Sequence, residues 1–334
     1  MYDKPFKTYD EQLAIMKSRG INIDNTIHAK KVLSSTSYYA LMNGYKDTCI
    51  MPRKDIFLKG LTFYELYILH CVDSSLNIIL FKYILHIERA FKTKLSYLIS
   101  ANYGVYTDYN LSRPTDINDY RCTKHYSNST NLRTSVLSSL ANDINTAHNY
   151  TSTRFYRDNK NHIPPWILVN DITFYRTMSW YKILKSPDKD VICEGFLKGY
   201  SSSLIAKKTF FSIALKLLRK YRNNIAHGKR SFTAHIDVKL PKLEFLNLLP
   251  SDVLSHAEYD KGLGANDLFA VLLTLIILLD DPLLIRTFYT DLETWFKSYS
   301  GASFAEKSVY EVMSLPPDIK DRIEKAMLAK QTSL

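Results

Sequence analysis

The sequence predicts a mostly α-helical bundle with a small helical N-terminal unit and a short β-hairpin. Glycine is scarce, with 10 residues in a chain of 334, which favours helices over a turn-rich β fold. Apolar residues recur at helical spacing in several long segments, and capping signals precede some of them. A chain of this length can bury an ample core, in one large domain or two modest ones.

The N-terminal unit is predicted over residues 1–55 and consists of short helices. Thr8 and Glu11 form a T-x-x-E capping box before the first of them. Asp24 or Asn25 caps a second helix, and the aromatic segment YYALMNGYKD follows as a third. The first residues are charged and lack an apolar stretch, so we expect no signal peptide.

The central domain is predicted over residues 56–300, and it begins with two helices that a polar stretch near Asp73 separates. The second of these helices is strongly periodic. Its apolar residues share one face at helical spacing, and they are Phe81, Ile84, Leu85, Phe91, Leu95, Leu98 and Ile99.

A carboxylate lies at the centre of this apolar face and needs a partner there. It belongs to Glu88, and Lys92 one turn on or the neighbouring Arg89 can supply a positive charge locally. Alternatively, Glu88 reaches another helix and orients a functional arginine such as Arg222. The sequence leaves both arrangements open.

The middle of the central domain alternates between loop and helix. Residues 102–162 are rich in small polar residues and Tyr, and we predict mostly loop there, with one helix over 132–147. A helix with proline in its first turn is predicted over 165–184, and a shorter one over 189–200. A long amphipathic helix follows over 205–226.

The last part of the chain carries the predicted hairpin and three more helices. Alternating residues over 231–249 indicate the hairpin. Helices are predicted over 266–280 and 282–299. A C-terminal helix and tail, over 301–334, complete the chain, with the helix starting after Pro316 and Pro317.

The charge balance favours an anionic partner. The net charge is +11, so nucleic acid is the first candidate and a membrane surface the second. The basic residues alternate with many of the 24 Tyr and 16 Phe, and such surfaces suit single-stranded RNA. Most of the tyrosines can equally be half-buried packing residues.

The cysteines indicate a reducing compartment. Cys49, Cys71, Cys122 and Cys193 stand far apart, without metal-ligand spacing or a disulfide framework, so we expect a cytoplasmic protein without a metal or other cofactor. The most apolar run, residues 268–279, is too short to span a bilayer and predicts a buried helix, so no membrane association is expected.

The most informative segment closes the long amphipathic helix. It runs from Arg222 through Asn223 to His227, directly before Gly228. An arginine can grip a phosphate with forked donors, and a histidine moves protons near neutral pH. The surrounding stretch, residues 195–236, holds nine Lys or Arg and no Asp or Glu. Besides Arg222, its basic residues predicted to bind RNA are Lys207, Lys208, Lys216, Arg219, Lys220, Lys229 and Arg230.

Spacing alone does not identify this site, because Arg followed five positions later by His occurs three times. The pair at 157 and 162 falls in a predicted polar loop, and the pair at 230 and 235 lies in a β-branched run past Gly228. Only the pair at 222 and 227 ends a strong helix. The alternative interpretation is a basic helix C-terminus that complements the helix dipole.

Several stretches together resemble abortive-infection (Abi) proteins of the AbiD/AbiF type, which belong to the HEPN superfamily. They span roughly residues 4–280 and occur in the family's order: KPFKTYDEQLAIMKSRGI, SYYALMNGYKD, YILHIERAFKTKLSYLI, IPPWILVNDITFYRTMSWYKIL and YRNNIAHGKR. The resemblance implies a HEPN-type helical bundle and a metal-independent ribonuclease that works as a homodimer in anti-phage or toxin–antitoxin systems. It also implies that a small structured noncoding RNA is a partner.

The resemblance also assigns residues. Arg222, Asn223 and His227 match the HEPN motif, and Glu88 and Arg89 match the family's Glu-Arg pair in the earlier long helix. Where many relatives have Gly in the segment after Trp166, this chain has Phe174-Tyr175, which leaves the local packing there open.

RNA cleavage suits these residue types, because RNA carries its own nucleophile in the 2′-hydroxyl. Such a reaction needs a base, an acid and a cation that stabilises the added negative charge. Arg222 suits the last role, His227 either proton role, and Asn223 can hold the imidazole or a phosphate oxygen. Since one motif supplies one histidine, two copies across a two-fold axis would complete the set. The alternatives are a catalytically weak RNA-binding protein and an adaptor that senses a phage component.

Overall fold

A computed structural model describes residues 4–51, 54–128, 130–232 and 236–333, and most of this part is helical. The N-terminal helices are α1 (Tyr9–Ser18), α2 (Thr26–Ser35), α3 (Tyr38–Met42) and α4 (Lys46–Cys49). The central helices are α5 (Phe63–Tyr103), α6 (Thr130–Asn145), α7 (Ser152–Asn159), α8 (Pro165–Asp171), α9 (Phe174–Ile183), α10 (Ser186–Leu197) and α11 (Leu204–Ala226), with a 3-10 turn at Thr123–His125. The remaining elements are α12 (Lys242–Leu246), α13 (His256–Asp260), α14 (Leu268–Leu278), α15 (Pro282–Tyr299), β1 (Ser303–Phe304), β2 (Lys307–Ser308), α16 (Val309–Val312) and α17 (Ile319–Ser333).

The predicted fold class is confirmed, and so are the signals at the N-terminus. The Thr8 side chain accepts from the Glu11 amide while the Glu11 carboxylate accepts from the Thr8 amide, a complete capping box at the start of α1. Asn25, rather than Asp24, caps α2 by accepting from the His28 amide. The division at residues 55 and 300 stays a prediction.

Helix α5 is the central element of the bundle, and the break predicted near Asp73 is wrong. The helix continues over 41 residues and packs against α8, α10, α11, α14 and α15. Asp73 does not end a helix, because its buried carboxylate is engaged elsewhere and accepts hydrogen bonds from Tyr45 and Ser231. By length and composition α5 could cross a membrane. Many of its apolar residues, such as Leu69, Leu80 and Phe91, are buried against the surrounding helices, while Ile78 and Tyr97 are exposed.

The helix predicted over 165–184 is two helices, α8 and α9. The Lys92 ammonium of α5 donates to the Ile172 carbonyl at the junction, 2.8 Å away, and Thr173 caps α9. Phe174 is buried, with its ring 6.3 Å from that of Phe91. Its neighbour Tyr175 is exposed, so of these two aromatic rings one packs inward and the other faces solvent.

Two further segments differ from the predicted elements. The hairpin expected over 231–249 is absent from the described part of that segment: residues 236–241 pair with no strand and α12 follows, while 233–235 lie outside the described residues. A short antiparallel hairpin occurs instead in β1 and β2. Arg157 lies in α7 rather than in a loop, and it donates to the carbonyls of Ile144 and Asn145 at the end of α6.

A buried lysine anchors the C-terminal helix to the core. Lys330 on α17 is 2% exposed and donates to the Ile277 carbonyl of α14 at 2.8 Å. This carbonyl belongs to the last turn of α14, where the helix supplies no partner. Burial lowers the pKa of Lys330 to about 8, against a smaller opposing effect of Asp280. The ammonium therefore caps a helix but is held in an unfavourable, desolvated form.

We expect the contribution of Lys330 to stability to rise with pH. Between the folded pKa of about 8 and the usual value of 10.5, the unfolded chain keeps a proton that the folded chain has released. Since the unfolded state then binds more protons, stability increases with pH, by about 2 kcal/mol from pH 7 to pH 9.5. The measurement is urea denaturation of the wild type and Lys330→Met at both pH values. A difference between the two proteins that does not change with pH would contradict the pKa shift.

Candidate functional site

The candidate motif sits at a well-defined helix end. Helix α11 stops in a Schellman arrangement, in which the Gly228 amide donates to the Ile225 carbonyl and the Lys229 amide to the Asn224 carbonyl. Gly228 has φ +68°, which explains why glycine follows the motif. His227 is the C-cap residue, so its backbone is fixed by hydrogen bonds while its side chain is exposed.

Helix α5 runs antiparallel to α11 and fixes the segment that follows the motif. Ser231 donates through its amide and its hydroxyl to the Asp73 carboxylate, at 3.2 and 2.8 Å. The Asn77 amide donates to the Lys229 carbonyl at 3.5 Å. Burial raises the pKa of Asp73, while the hydrogen bonds from Ser231 oppose that rise. Both residues of α5 thus hold the chain directly after His227.

Further along α5, Glu88 meets the motif itself. This carboxylate is 5% exposed, and one of its oxygens lies 3.2 Å from the Lys92 ammonium. The other oxygen lies 3.7 Å from Nε of Arg222, and neither of these two atoms makes a hydrogen bond within the described part of the protein. Of the arrangements that the sequence left open, the local one with Lys92 and the long-range one with Arg222 both occur.

The Arg222 guanidinium has a second contact on its own helix. It donates from Nη1 to the side-chain oxygen of Asn223 at 3.1 Å, so this oxygen faces the arginine and not the imidazole. The Arg222 side chain is still 35% exposed. An arginine with its inner nitrogen at a buried carboxylate and its outer part in solvent is held in position while it keeps donors for a ligand.

Two predicted site residues are separate from this cluster. His227 makes no side-chain hydrogen bond or ion pair within residues 4–51, 54–128, 130–232 and 236–333. The same is true of Arg89, which is exposed. The structure thus joins Glu88, Arg222 and Asn223, and leaves the His227 side chain available in solvent.

The basic residues predicted to bind RNA divide into paired and unpaired ones. Lys207 is buried rather than exposed, with its ammonium 2.8 Å from Glu194. Lys208 forms an ion pair with Asp190 at 2.6 Å, and Lys220 pairs with Asp237. Arg230 lies over the Tyr45 ring and donates to the Ala40 carbonyl. Like Arg230, Lys216, Arg219 and Lys229 have no ion pair in the described part.

A cavity of about 500 Å³ lies beside the end of α11. The Tyr45 hydroxyl lies 3.1 Å from Nδ1 of His70 and donates to Asp73 at 3.3 Å within its wall. Burial and the nearby Arg230 charge lower the pKa of His70. The sequence could not have identified this group, because it joins the N-terminal unit, α5 and the segment after α11, which are far apart in the chain.

The fold and this cluster define a helical protein with an anchored arginine and an exposed histidine at one helix end. A family model described as "Abi-like protein" matches residues 31–233, more than half of the chain, and the chain belongs to this family. The matched part contains Glu88, Arg222 and His227. Membership supports an abortive-infection role against phage. No curated protein and no solved structure matches the chain.

Removing the Glu88 charge is expected to destabilise the fold. Glu88→Gln would leave the buried side of Lys92 and Arg222 without a counter-charge, with a loss on the order of 2 kcal/mol in the free energy of unfolding. Urea denaturation at pH 7 measures this. The matched control is Glu306→Gln, because Glu306 is exposed and has no ion pair in the described part; its effect should stay within about 0.5 kcal/mol. Equal stability of the two variants would contradict a structural role of the Glu88 charge.

Proposed function

We propose that this Abi-like protein is a HEPN-type, metal-independent endoribonuclease that acts in abortive infection and cleaves RNA as a homodimer. The proposal rests on the different environments of Arg222 and His227 at the end of α11. Arg222 is anchored at the buried Glu88, whereas His227 is fixed only through its backbone and presents its imidazole to solvent. An anchored cation and a free proton carrier are what the cleavage of a phosphodiester requires.

In the proposed reaction the nucleophile comes from the RNA. A base removes the proton of the 2′-hydroxyl, and the oxygen attacks the adjacent phosphorus. The bond to the 5′-oxygen breaks, and an acid protonates this leaving group, so the products are a 2′,3′-cyclic phosphate and a 5′-hydroxyl. The Arg222 guanidinium stabilises the negative charge on the phosphate oxygens, and His227 serves as the base or the acid.

The proposed homodimer follows from the number of proton-transferring residues at this helix end. One chain presents one histidine at this helix end, whereas the reaction needs both a base and an acid. A two-fold axis through the site would place a second His227 opposite the first. Exposed apolar side chains occur on α8 and at the start of α11, where Trp166 is 47% and Ile205 76% exposed. These two helices are therefore the proposed interface elements.

Control by a structured noncoding RNA is also part of the proposal. A folded RNA on the basic face would block the cleft between two protomers, and its removal in an infected cell would release the ribonuclease. The net charge of +11 supports binding of a large polyanion.

Substitution at the helix end should abolish cleavage without unfolding the protein. We expect His227→Ala and Arg222→Ala each to lower the rate by at least about 100-fold, since each removes a group that acts in the transition state. The matched control is His162→Ala, which alters the second Arg-x4-His pair of the sequence. The measurement is cleavage of labelled RNA in the presence of EDTA, with analysis of the product ends.

Full activity of either site variant, or a strict requirement for Mg²⁺, would rule out this mechanism. Retained toxicity of His227→Ala together with retained RNA affinity would instead support the alternative, an RNA-binding protein with little or no catalysis.

Because the proposed active site is shared between two chains, we expect His227→Ala chains to inactivate their wild-type partners in mixed dimers. When wild-type chains exchange with an excess of His227→Ala chains, most wild-type protomers acquire an inactive partner, and activity per wild-type chain should fall toward zero. Light scattering on the RNA-free protein establishes the oligomeric state in parallel. Activity that stays proportional to the amount of wild-type protein, or cleavage by a monomer, would show that one chain suffices.

A further inference from the structure

A second cavity, separate from the helix end, lies between α9, α10 and α11 and has a volume of about 390 Å³. Its lining contains five cationic side chains: Lys182, Lys189, Lys208, Lys216 and Arg219. Three of them come from α11, within five turns before the motif. Such a concentration of one charge sign around a concave surface is unusual unless a counter-charge is supplied.

The described part of the protein supplies only one carboxylate as a counter-charge. Lys208 pairs with Asp190 at 2.6 Å, while the other four cations form no ion pair with any carboxylate of the described residues. The pKa of Lys189 is lowered, first by burial and then by the positive charges of Lys208 and Lys182. The cations therefore repel one another across the cavity, and a bound anion would relieve that repulsion.

Two buried polar groups in the lining also lack partners. Tyr181 is 5% exposed, and its hydroxyl makes no hydrogen bond within the described part of the protein. The same holds for Nε of Arg219. A buried donor without a partner costs about 1–3 kcal/mol, so a ligand with acceptor oxygens would satisfy what the fold leaves open.

The cavity also offers surface for a planar ring. The Arg219 guanidinium lies 5.2 Å from the centre of the Tyr175 ring, and that tyrosine is 59% exposed at the cavity wall. An exposed aromatic ring backed by an arginine is a stacking surface for a nucleobase. Met178 and Leu215 supply apolar contacts beside it. The combination of cations, unpaired donors and a stacking ring matches a base joined to a phosphate.

We propose that this cavity is a nucleotide-phosphate site, which holds either one unit of an RNA strand or a free nucleotide. Ser212, Lys216 and Arg219 are spaced to share one face of α11, and Asn223 of the motif continues that face. Arg219 precedes Arg222 by one turn, about 5 Å along the axis. A strand bound in the cavity would thus lead toward the helix end. That the ligand is RNA rests on the proposed function, whereas the anion site does not.

The experiment compares Lys189→Gln/Lys216→Gln with Lys198→Gln/Lys239→Gln, which removes the same charge from exposed lysines outside the cavity. Both are made in full-length His227→Ala protein, so that RNA stays intact. The probes are inorganic phosphate, adenosine 5′-monophosphate and a labelled single-stranded RNA of ten nucleotides. We expect the cavity variant to weaken the binding of the RNA and the mononucleotide at least about tenfold, and to flatten the log–log salt dependence for RNA by about 1.4 more than the control does.

The outcomes distinguish between an RNA strand and a free nucleotide as the ligand. Weaker binding of RNA alone assigns the cavity to a strand, and weaker binding of the mononucleotide alone assigns it to a free nucleotide. Equal binding by both charge variants and the parent overturns the proposal. Tyr181→Phe provides a second test without a charge change. It should weaken binding of the affected probe about fivefold without lowering the thermal stability of the free protein, because the hydroxyl has no hydrogen-bond partner in the described part. Cleavage by the wild type is assayed separately, so failure of the ribonuclease proposal leaves these binding results interpretable.

Discussion

The structure depends on one buried carboxylate that serves two cations on different elements. Glu88 neutralises Lys92 on its own helix and Arg222 on α11, and Lys92 in turn donates to the carbonyl at the junction of α8 and α9. Taking such charges out of water costs several kcal/mol for each ion unless they remain paired. The relative positions of α5, α11 and the junction of α8 and α9 are therefore tied to a single acid. The Glu88 carboxylate oxygen lies 3.7 Å from Nε of Arg222 without a hydrogen bond, so the guanidinium is held in position while this donor has no partner in the described part.

Because α5 is continuous, the same helix that holds Arg222 also holds the segment after His227. Its early residues, Asp73 and Asn77, bind the segment directly after the motif, and Glu88, three to four turns later, binds the motif. If the helix were broken near Asp73, as its polar residues predict, the two attachments could move independently. One continuous helix holds the chain on both sides of His227, whose imidazole has no side-chain hydrogen bond or ion pair in the described part of the chain.

Local signals in the sequence were sufficient for most helices, because periodicity and caps act within one or two turns. The capping box of α1, the course of α11 and its end at Gly228 are predictable in this way. Where tertiary contacts decide, prediction failed: the long helix expected from Pro165 is interrupted where Lys92 reaches the Ile172 carbonyl. The number of charged residues in a stretch of sequence is also a limited guide, because it does not show which charges are paired in the fold. Lys207 lies in an acid-free stretch, yet Glu194 just before that stretch neutralises it, and only the fold distinguishes such a lysine from a free one.

The cations of α11 differ in whether an acid neutralises them, and this difference bears on the function of the helix. A helix that only needed to pack would gain from neutralising all of its cations, as Glu194 does for Lys207 and Asp190 for Lys208. Instead, Lys216 and Arg219 remain without acids in the described part and line a cavity beside a buried tyrosine hydroxyl that lacks a partner. Repulsion and unsatisfied donors both lower stability, and such local losses concentrate at sites of function. In the proposal, the anchored Arg222 and the unpaired Lys216 and Arg219 before it would form one phosphate-binding surface. Glu88 would position the arginine at the helix end, and Lys216 and Arg219, which have no ion pair in the described part of the chain, would remain available to an anion.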